Sequence, residues 1–418
     1  MTTFDESLKK YAQLIVHVGL NLQKGQRLII NNASTRGVPL HVAPLVRAVT
    51  REAYQAGARY VDVIWNDEEL IRTRIQYAPA DSFGEYSDSH VSAMLDIVEK
   101  GDAMLTIRSN NPDLLSDLDP ERVGAMQKTH LEKFGPVSLG VTGNKINWLV
   151  VCASSPDWAV KVFPDLPREQ AFDKLWEAIF QITRVDRPDP VAAWEEHIRN
   201  LLKRSNYLTG KDYRALKYTA PGTALTVGLP RGHKWISARE KAQNGIEFIA
   251  NLPTEEVFSL PHRDQVDGTV SAALPLSYGG TLLEDFSFTF EKGRVTQVNA
   301  RRGEAILKKL VETDEGASHL GEAALVPFSS PISQRGHLFY DALIDENASC
   351  HLALGRAYPI TLEGAQDLTD EEFMARGGNV SLTHVDFMIG SNKMDIDGVK
   401  EDGTSEPVMR AGEWAFKV

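Results

Sequence analysis

Short β-branched apolar runs alternate with stretches of helical spacing across the first 187 residues, and this restricts the fold more than any other feature of the chain. Leu8, Tyr11, Ile15 and Val18 recur at helical spacing up to Gly19, and QRLIINNAS then reads as a buried strand. Val42, Leu45, Val46, Val49 and Tyr54 form a second helical stripe, closed by Gly57. RYVDVIW (59–65) is the next strand, and a helix around 83–99 leads to DAMLTIRSN (102–110). A further helix around 119–133 leads to GPVSLGVT and then INWLVVCAS. Strands separated by helices imply crossover connections, so a parallel sheet flanked by helices is expected.

The texture changes after REQAFDKLWEAIFQITRV. DRPDPVAAW (186–194) stops one helix and starts another, which puts a domain boundary near 187. Beyond it, TALTVGLP, IEFIANLP, GTVSAALPL, DFSFTFEKGRVTQVNA and NVSLTHVDFMIG are short strands with Gly or Pro turns. EKGRV between two alternating runs is a hairpin signal. The expectation is therefore a two-domain α/β protein. An N-terminal parallel-sheet domain (1–187) would precede a strand-rich α+β domain (188–418) that carries the chemistry.

A net charge of −12 lacks the basic footprint of a nucleic-acid binder. The two cysteines, Cys152 and Cys350, exclude a disulfide framework and a thiolate zinc site, and suit a reducing compartment. MTTFDESLKK is acidic where a signal peptide would be basic, and no stretch approaches the ~18 uncharged apolar residues of a membrane span. A cytoplasmic protein without nucleic-acid or membrane partners is expected. No phosphate loop, GxGxxG, HExxH or GxSxG motif occurs, so the first domain is expected to bind no nucleotide.

Chemistry-bearing residues gather in the second domain. Glu255 and Glu256 are adjacent after a proline, Glu322 follows a glycine at the head of an apolar stretch, and His351 lies among small and apolar residues. His384 and Asp386 are two apart in a β-like segment, which puts both on one strand face. Each has an ordinary structural reading: a solvated acidic pair, a first-turn helix carboxylate, a core histidine, two polar residues on a strand. As a set, two imidazoles and three carboxylates without thiolate suit Zn²⁺, Co²⁺ or Mn²⁺. Five ligands exceed the three that a catalytic zinc takes from protein. Two ions sharing a carboxylate would use them all, activating a water and clamping both oxygens of a tetrahedral intermediate.

NLPTEEVF, VDGTV, GASHLGEAALV, LIDENASCHLALGRAY and HVDFMIGSNKMDIDG resemble the signature blocks of the M29 metallopeptidases, the aminopeptidase T and aminopeptidase S family. The resemblance is dense over about 250–400 and extends weakly over the whole chain. It implies metal ligands at Glu256, Glu322, His351, His384 and Asp386, a catalytic tyrosine at Tyr358, and two divalent ions per chain, of Zn, Co, Mn or Mg. It also implies peptide substrates and a homodimer. The expected function is release of N-terminal residues from peptides. Another metal-dependent amidase or dipeptidase, or a non-catalytic peptide-binding protein, are the alternatives. Glu322 is the expected bridge, with both histidines and Asp386 on one ion and Glu256 on the other. Glu255, beside a ligand, is a general-base candidate. His319 is expected at the surface, Cys350 in packing, and Asp395 and Asp397 in a structural turn.

Overall fold

The computed structural model describes residues 3–32, 35–278 and 281–418, and divides into two compact units. The first comprises Met1–Glu196 with Arg239–Pro253, the second His197–Ala238 with Thr254–Val418. The division passes within the helix Pro190–Lys211.

In the first unit the alternating pattern yields the expected parallel sheet. Arg27–Asn31 lies between Tyr60–Val63 and Ala103–Arg108, and Trp148–Cys152 follows outside the latter, all in parallel register. Ala33 and Ser34, at the end of the QRLIINNAS run, lie outside the described residues. Asn251–Leu252 adds a short parallel strand beside Trp148–Cys152. Leu28, Ile30, Leu105, Ile107, Leu149 and Val151 are buried on one face and Ile29, Met104 and Cys152 on the other, as strands covered on both faces require. The fourth expected helix departs from expectation. It does not end near 133 but runs from Pro120 to Thr142, through Pro136. GPVSLGVT is helical because Val137 and Gly140, three apart, face inward; a Cβ on Gly140 would stand 2.5 Å from Val98 Cγ1. A helix at Glu68–Tyr77 was not anticipated.

The second unit is built from antiparallel sheets. One carries nine strands, including the hairpin Thr281–Glu291 and Arg294–Arg302, whose turn has Lys292 and Gly293 at positive φ as the EKGRV pattern requires. The other has five strands in the order His384–Met388, His351–Gly355, Leu320–Leu325, Val257–Ser259, Ile236–Ser237. Its central strands, Leu320–Leu325 and His351–Gly355, are buried throughout. Among the described residues no helix is long and apolar enough to cross a membrane.

Candidate metal centre

The five-stranded sheet brings all five expected ligands to one place, and its register explains how. Glu322 pairs with Ala353, and Ala353 pairs with Asp386 on its other side. Directly paired residues of antiparallel strands point to the same face, so the two carboxylates flank a single methyl group. His351 is two residues from Ala353, and His384 two from Asp386, which keeps both rings on that face. His351 is paired with Ala324, and His384 with Gly355. Small residues therefore separate the polar ones and leave room above the sheet. Glu256 immediately precedes Val257, which pairs with Leu325 on the other flank of the Glu322 strand.

Two groups of three result. Glu256, Glu322 and His351 form one, Glu322, His384 and Asp386 the other, and in each the potential ligand atoms lie within 4.8 Å of one another. Glu322 belongs to both. The histidines are divided one to each group, which differs from the sequence expectation of both with Asp386. His351 Nε2 is 3.1 Å from Glu256 Oε2 and 3.3 Å from Glu322 Oε1. His384 Nε2 is 3.6 Å from Glu322 Oε2 and 3.4 Å from Asp386 Oδ1.

The second nitrogen of each ring is already engaged. His351 Nδ1 donates to the Ser349 carbonyl at 3.1 Å, and His384 Nδ1 to the Arg356 carbonyl at 2.7 Å. That leaves each Nε2 facing carboxylates, as in metal-binding histidines whose tautomer is fixed from behind. Burial opposes a charge on His351, but hydrogen bonds from its ring to the Glu256 and Glu322 carboxylates outweigh it and hold the imidazole well above its ordinary range. Burial likewise opposes charge on His384, and Asp386 and Glu322 push it up to about 10. Burial, with the Asp386 charge, raises the Glu322 carboxyl. Asp386 is lowered: burial works against its charge, and His384 prevails.

Sequence reasoning missed Glu346. Burial and the charges of Asp386, Glu256 and Glu322 push its carboxyl far above the carboxylate range. With Asp386 and Asp345 it lines a cavity of about 20 Å³, room for one water-sized group. The Asp-Glu dipeptide at 345–346 reads as a solvated helix end; only the short helix Ala342–Asp345 and the turn that follows aim Glu346 at the cluster. Fully ionised, Glu256, Glu322, Glu346 and Asp386 would carry four negative charges into a buried site, which is why Glu322 and Glu346 are pushed towards the neutral form, and Asp386 Oδ1 accepts no hydrogen bond among the described residues. Two protonated imidazoles would balance half of that charge, whereas two divalent cations would balance all of it. The donor set fits a pair of such ions.

The Tyr358 ring lies 4.8 Å from that of His384, centroid to centroid, and is braced edge-on by Phe258. Glu255 faces elsewhere. Its Oε2 is 3.5 Å from His197 Nε2, and His197 also contacts the Thr254 carbonyl at 2.8 Å. His319 is buried rather than exposed, with Nδ1 2.9 Å from the Arg263 carbonyl. It precedes the Glu322 strand and shares no helical face with it. Cys350 is packed, its Sγ donating to the Val326 carbonyl. Asp395 and Asp397 lie not in a turn, as expected, but in the strand Asp395–Val399, which is paired on both sides; Asp395 accepts from the Ala411 N–H, and Asp397 pairs with Arg410.

A family model described as thermophilic metalloprotease (M29) matches residues 4–414. Aminopeptidase 2 of Geobacillus stearothermophilus is 46% identical over 418 residues, the full length of both chains. Aminopeptidase AmpS of Bacillus subtilis is 47% identical over 416 residues, again covering 100% of each. The solved structure of wild-type AmpT from Thermus thermophilus superposes with a TM-score of 0.93 at 43% identity, covering 99% of this chain and 100% of that one.

Proposed function

We propose, from the premise that this chain belongs to the thermophilic metalloprotease family (M29), that the cluster around Glu322 holds two divalent ions and serves hydrolysis at the N-terminal residue of peptides. Full-length relatives make the chain a metal-dependent aminopeptidase. The finer reading rests on one observation, the membership of Glu322 in both groups of potential ligands. Glu256 and His351 would hold one ion, His384 and Asp386 the other, and Glu322 would span them.

Bound ions supply Lewis acidity, which polarises a carbonyl and acidifies a water. The remaining work falls to the chain. The Ser349 and Arg356 carbonyls keep both imidazoles in the tautomer that presents Nε2. The Tyr358 phenol would donate to the oxygen of the scissile carbonyl as charge develops there, a role its position beside His384 supports. Acceptance of the proton from the attacking water is assigned to Glu346 in place of Glu255, because Glu346 lines a water-sized cavity with Asp386 whereas Glu255 faces His197; bound cations would offset the neighbouring carboxylates that otherwise keep Glu346 protonated. Family membership also carries the expectation of a homodimer, which sedimentation equilibrium would test.

The deciding experiment is metal analysis of the purified protein beside hydrolysis of leucyl- and alanyl-nitroanilide, before chelation, after it, and after metal is restored. Two ions per chain and activity that follows their loading are expected, with no cleavage of N-acetylated substrates. Full activity in chelated, metal-free protein would refute the reading.

A further inference from the structure

The chain as a whole is acidic, at −12, yet one cavity of the second unit has a cationic wall. Its volume is about 420 Å³, and Arg214, Arg231, Arg376, His262 and Gln265 line it together with Leu229, Pro230 and Ala375. No carboxylate is among the lining residues, and neither is any member of the Glu322 cluster.

Backbone hydrogen bonds hold this wall together. Leu229 N–H donates to the Arg214 carbonyl at 2.9 Å, Gly228 N–H to the Gln265 carbonyl at 2.6 Å, and His262 N–H to the Gly228 carbonyl at 2.7 Å. Arg376 ends the short helix Asp370–Ala375 and lies across the turn at Gly232, where a Cβ would stand 3.7 Å from its Nη2. The site is thus assembled from four chain segments whose spacing is fixed by main-chain contacts.

Its charges do not balance. Arg214 is held by Asp212, at 2.7 Å, and by Glu401; Arg231 is held by the same Glu401, at 2.7 Å. Two carboxylates thus serve two guanidiniums, and Arg376 forms no ion pair among the described residues. His262 adds a donor. Its Nδ1 accepts the Asp264 N–H at 3.2 Å, so the neutral ring carries its proton on Nε2. A guanidinium fork, an imidazole N–H and an amide lining one cavity suit a planar or tetrahedral oxyanion, which arginine grips through paired N–H bonds. The volume falls in the ordinary range for small-molecule sites, about 300–1,000 Å³, larger than a bare phosphate needs.

We propose that this cavity is an anion site separate from the metal centre, taking a small organic molecule that bears a phosphate or carboxylate group, with Arg376 as its principal contact. The proposal does not depend on the two-metal reading.

Calorimetric titration of the full-length, metal-loaded protein with inorganic phosphate and, separately, with citrate tests it, at constant ionic strength and with chloride as the control anion. Saturable binding of at least one of the two is expected, and which one binds identifies the oxyanion. Arg376→Ala should weaken it by about tenfold or more, the usual consequence of losing a charged hydrogen-bonding partner, and Arg231→Ala should weaken it less. Neither substitution should change metal content or peptide turnover measured without the anion. Phosphate can also bind metal ions, so Glu322→Gln serves as the counter-test. Binding that survives Arg376→Ala but disappears in Glu322→Gln belongs to the metal centre and overturns the proposal. Absence of binding by both anions, or equal binding by wild type and both arginine variants, overturns it too.

Discussion

The buried side chain of Asn347 accepts the main-chain N–H of Glu255 at 2.7 Å, tying two segments of the metal centre 92 residues apart in sequence. The same amide donates to the Leu343 carbonyl at 3.0 Å and stands 3.4 Å from Glu346 Oε1. One amide group thereby sets the spacing between the Glu255–Glu256 segment and the turn that carries Glu346. Asn347→Ala should lower metal affinity by about 10–100-fold, the usual loss when a group that orients ligands is removed. It should also destabilise the metal-free fold by about 1–3 kcal/mol, because the Glu255 N–H loses its acceptor. Metal titration and chemical denaturation of the same variant separate the two effects, and unchanged affinity would assign Asn347 to folding alone.

Glu322→Gln keeps the shape of the side chain and removes the negative charge that both three-residue groups share. Occupancy of both ions should fall together. Glu256→Gln and Asp386→Asn, each confined to one group, should mainly deplete one ion apiece. Plasma emission analysis of the three variants after identical dialysis distinguishes these patterns, and normal binding of two ions by Glu322→Gln would remove the bridging role.

Ala353 is the methyl group between Glu322 and Asp386 in the sheet register. Ala353→Val places a branched side chain where ions would sit. The fold should survive with a cost of about 1–3 kcal/mol, typical of overpacking, while metal content drops sharply. A variant that unfolds cooperatively near the wild-type midpoint yet loads metal fully would contradict the space argument.

Tyr358→Phe keeps the ring against His384 and Phe258 and deletes the hydroxyl. Turnover should fall by about 10²–10³-fold, the loss seen for one oxyanion donor, with the effect in kcat rather than KM because the bond strengthens only as charge develops. Metal content should be normal. Near-normal kcat would leave the ring as a packing group.

The acid limb of stability depends on Glu406. Lys211 at 2.6 Å, then Lys400 and the Tyr213 hydroxyl, both at 2.7 Å, hold its carboxyl down to about 2, against 4.5 unperturbed. A group depressed in the folded state stabilises it fully above its unfolded value and loses that contribution as pH falls through the folded one. Glu406→Gln should therefore be less stable than wild type above about pH 4.5, and the gap should close towards pH 2. Urea midpoints measured between these limits give the difference directly, and a gap that widens as pH falls would reverse the sign.

Period-two and helical patterns made the parallel sheet and the long hairpin legible, because burial of one face is a local demand that composition records. The H-x-D pair was legible for the same reason: strand alternation alone puts His384 and Asp386 on one face. The extent of the helix Pro120–Thr142 was not, since Val137, Leu139 and Val141 also alternate with period two and only the approach of Val98 to Gly140 selects the helix. Nor could the sequence show that the histidines divide between two groups, which follows from the register of three strands. Glu346 escaped notice because its direction is decided by a turn, and turn geometry leaves little trace in residue type. His319 looked exposed because its only visible context was a glycine- and acid-rich stretch, while the main-chain oxygen that receives it comes from Arg263, far away in sequence.

His384 and Asp386 occupy the outermost strand of their sheet, beyond which a hydrogen bond runs from the Ala273 N–H to the Met388 carbonyl. Peeling five residues away would free two ligands at once, so ion release and local opening of this strand become one equilibrium. Amide exchange along 384–388 then reports free-ion activity. Each tenfold rise in that activity above the dissociation constant should slow exchange there about tenfold, ~1.4 kcal/mol of added protection, for as long as this strand opens more easily than the whole fold, which ion binding also stabilises. The rim of the sheet would thus act as a gauge of metal supply, read through the opening of one strand and not through loss of the whole fold.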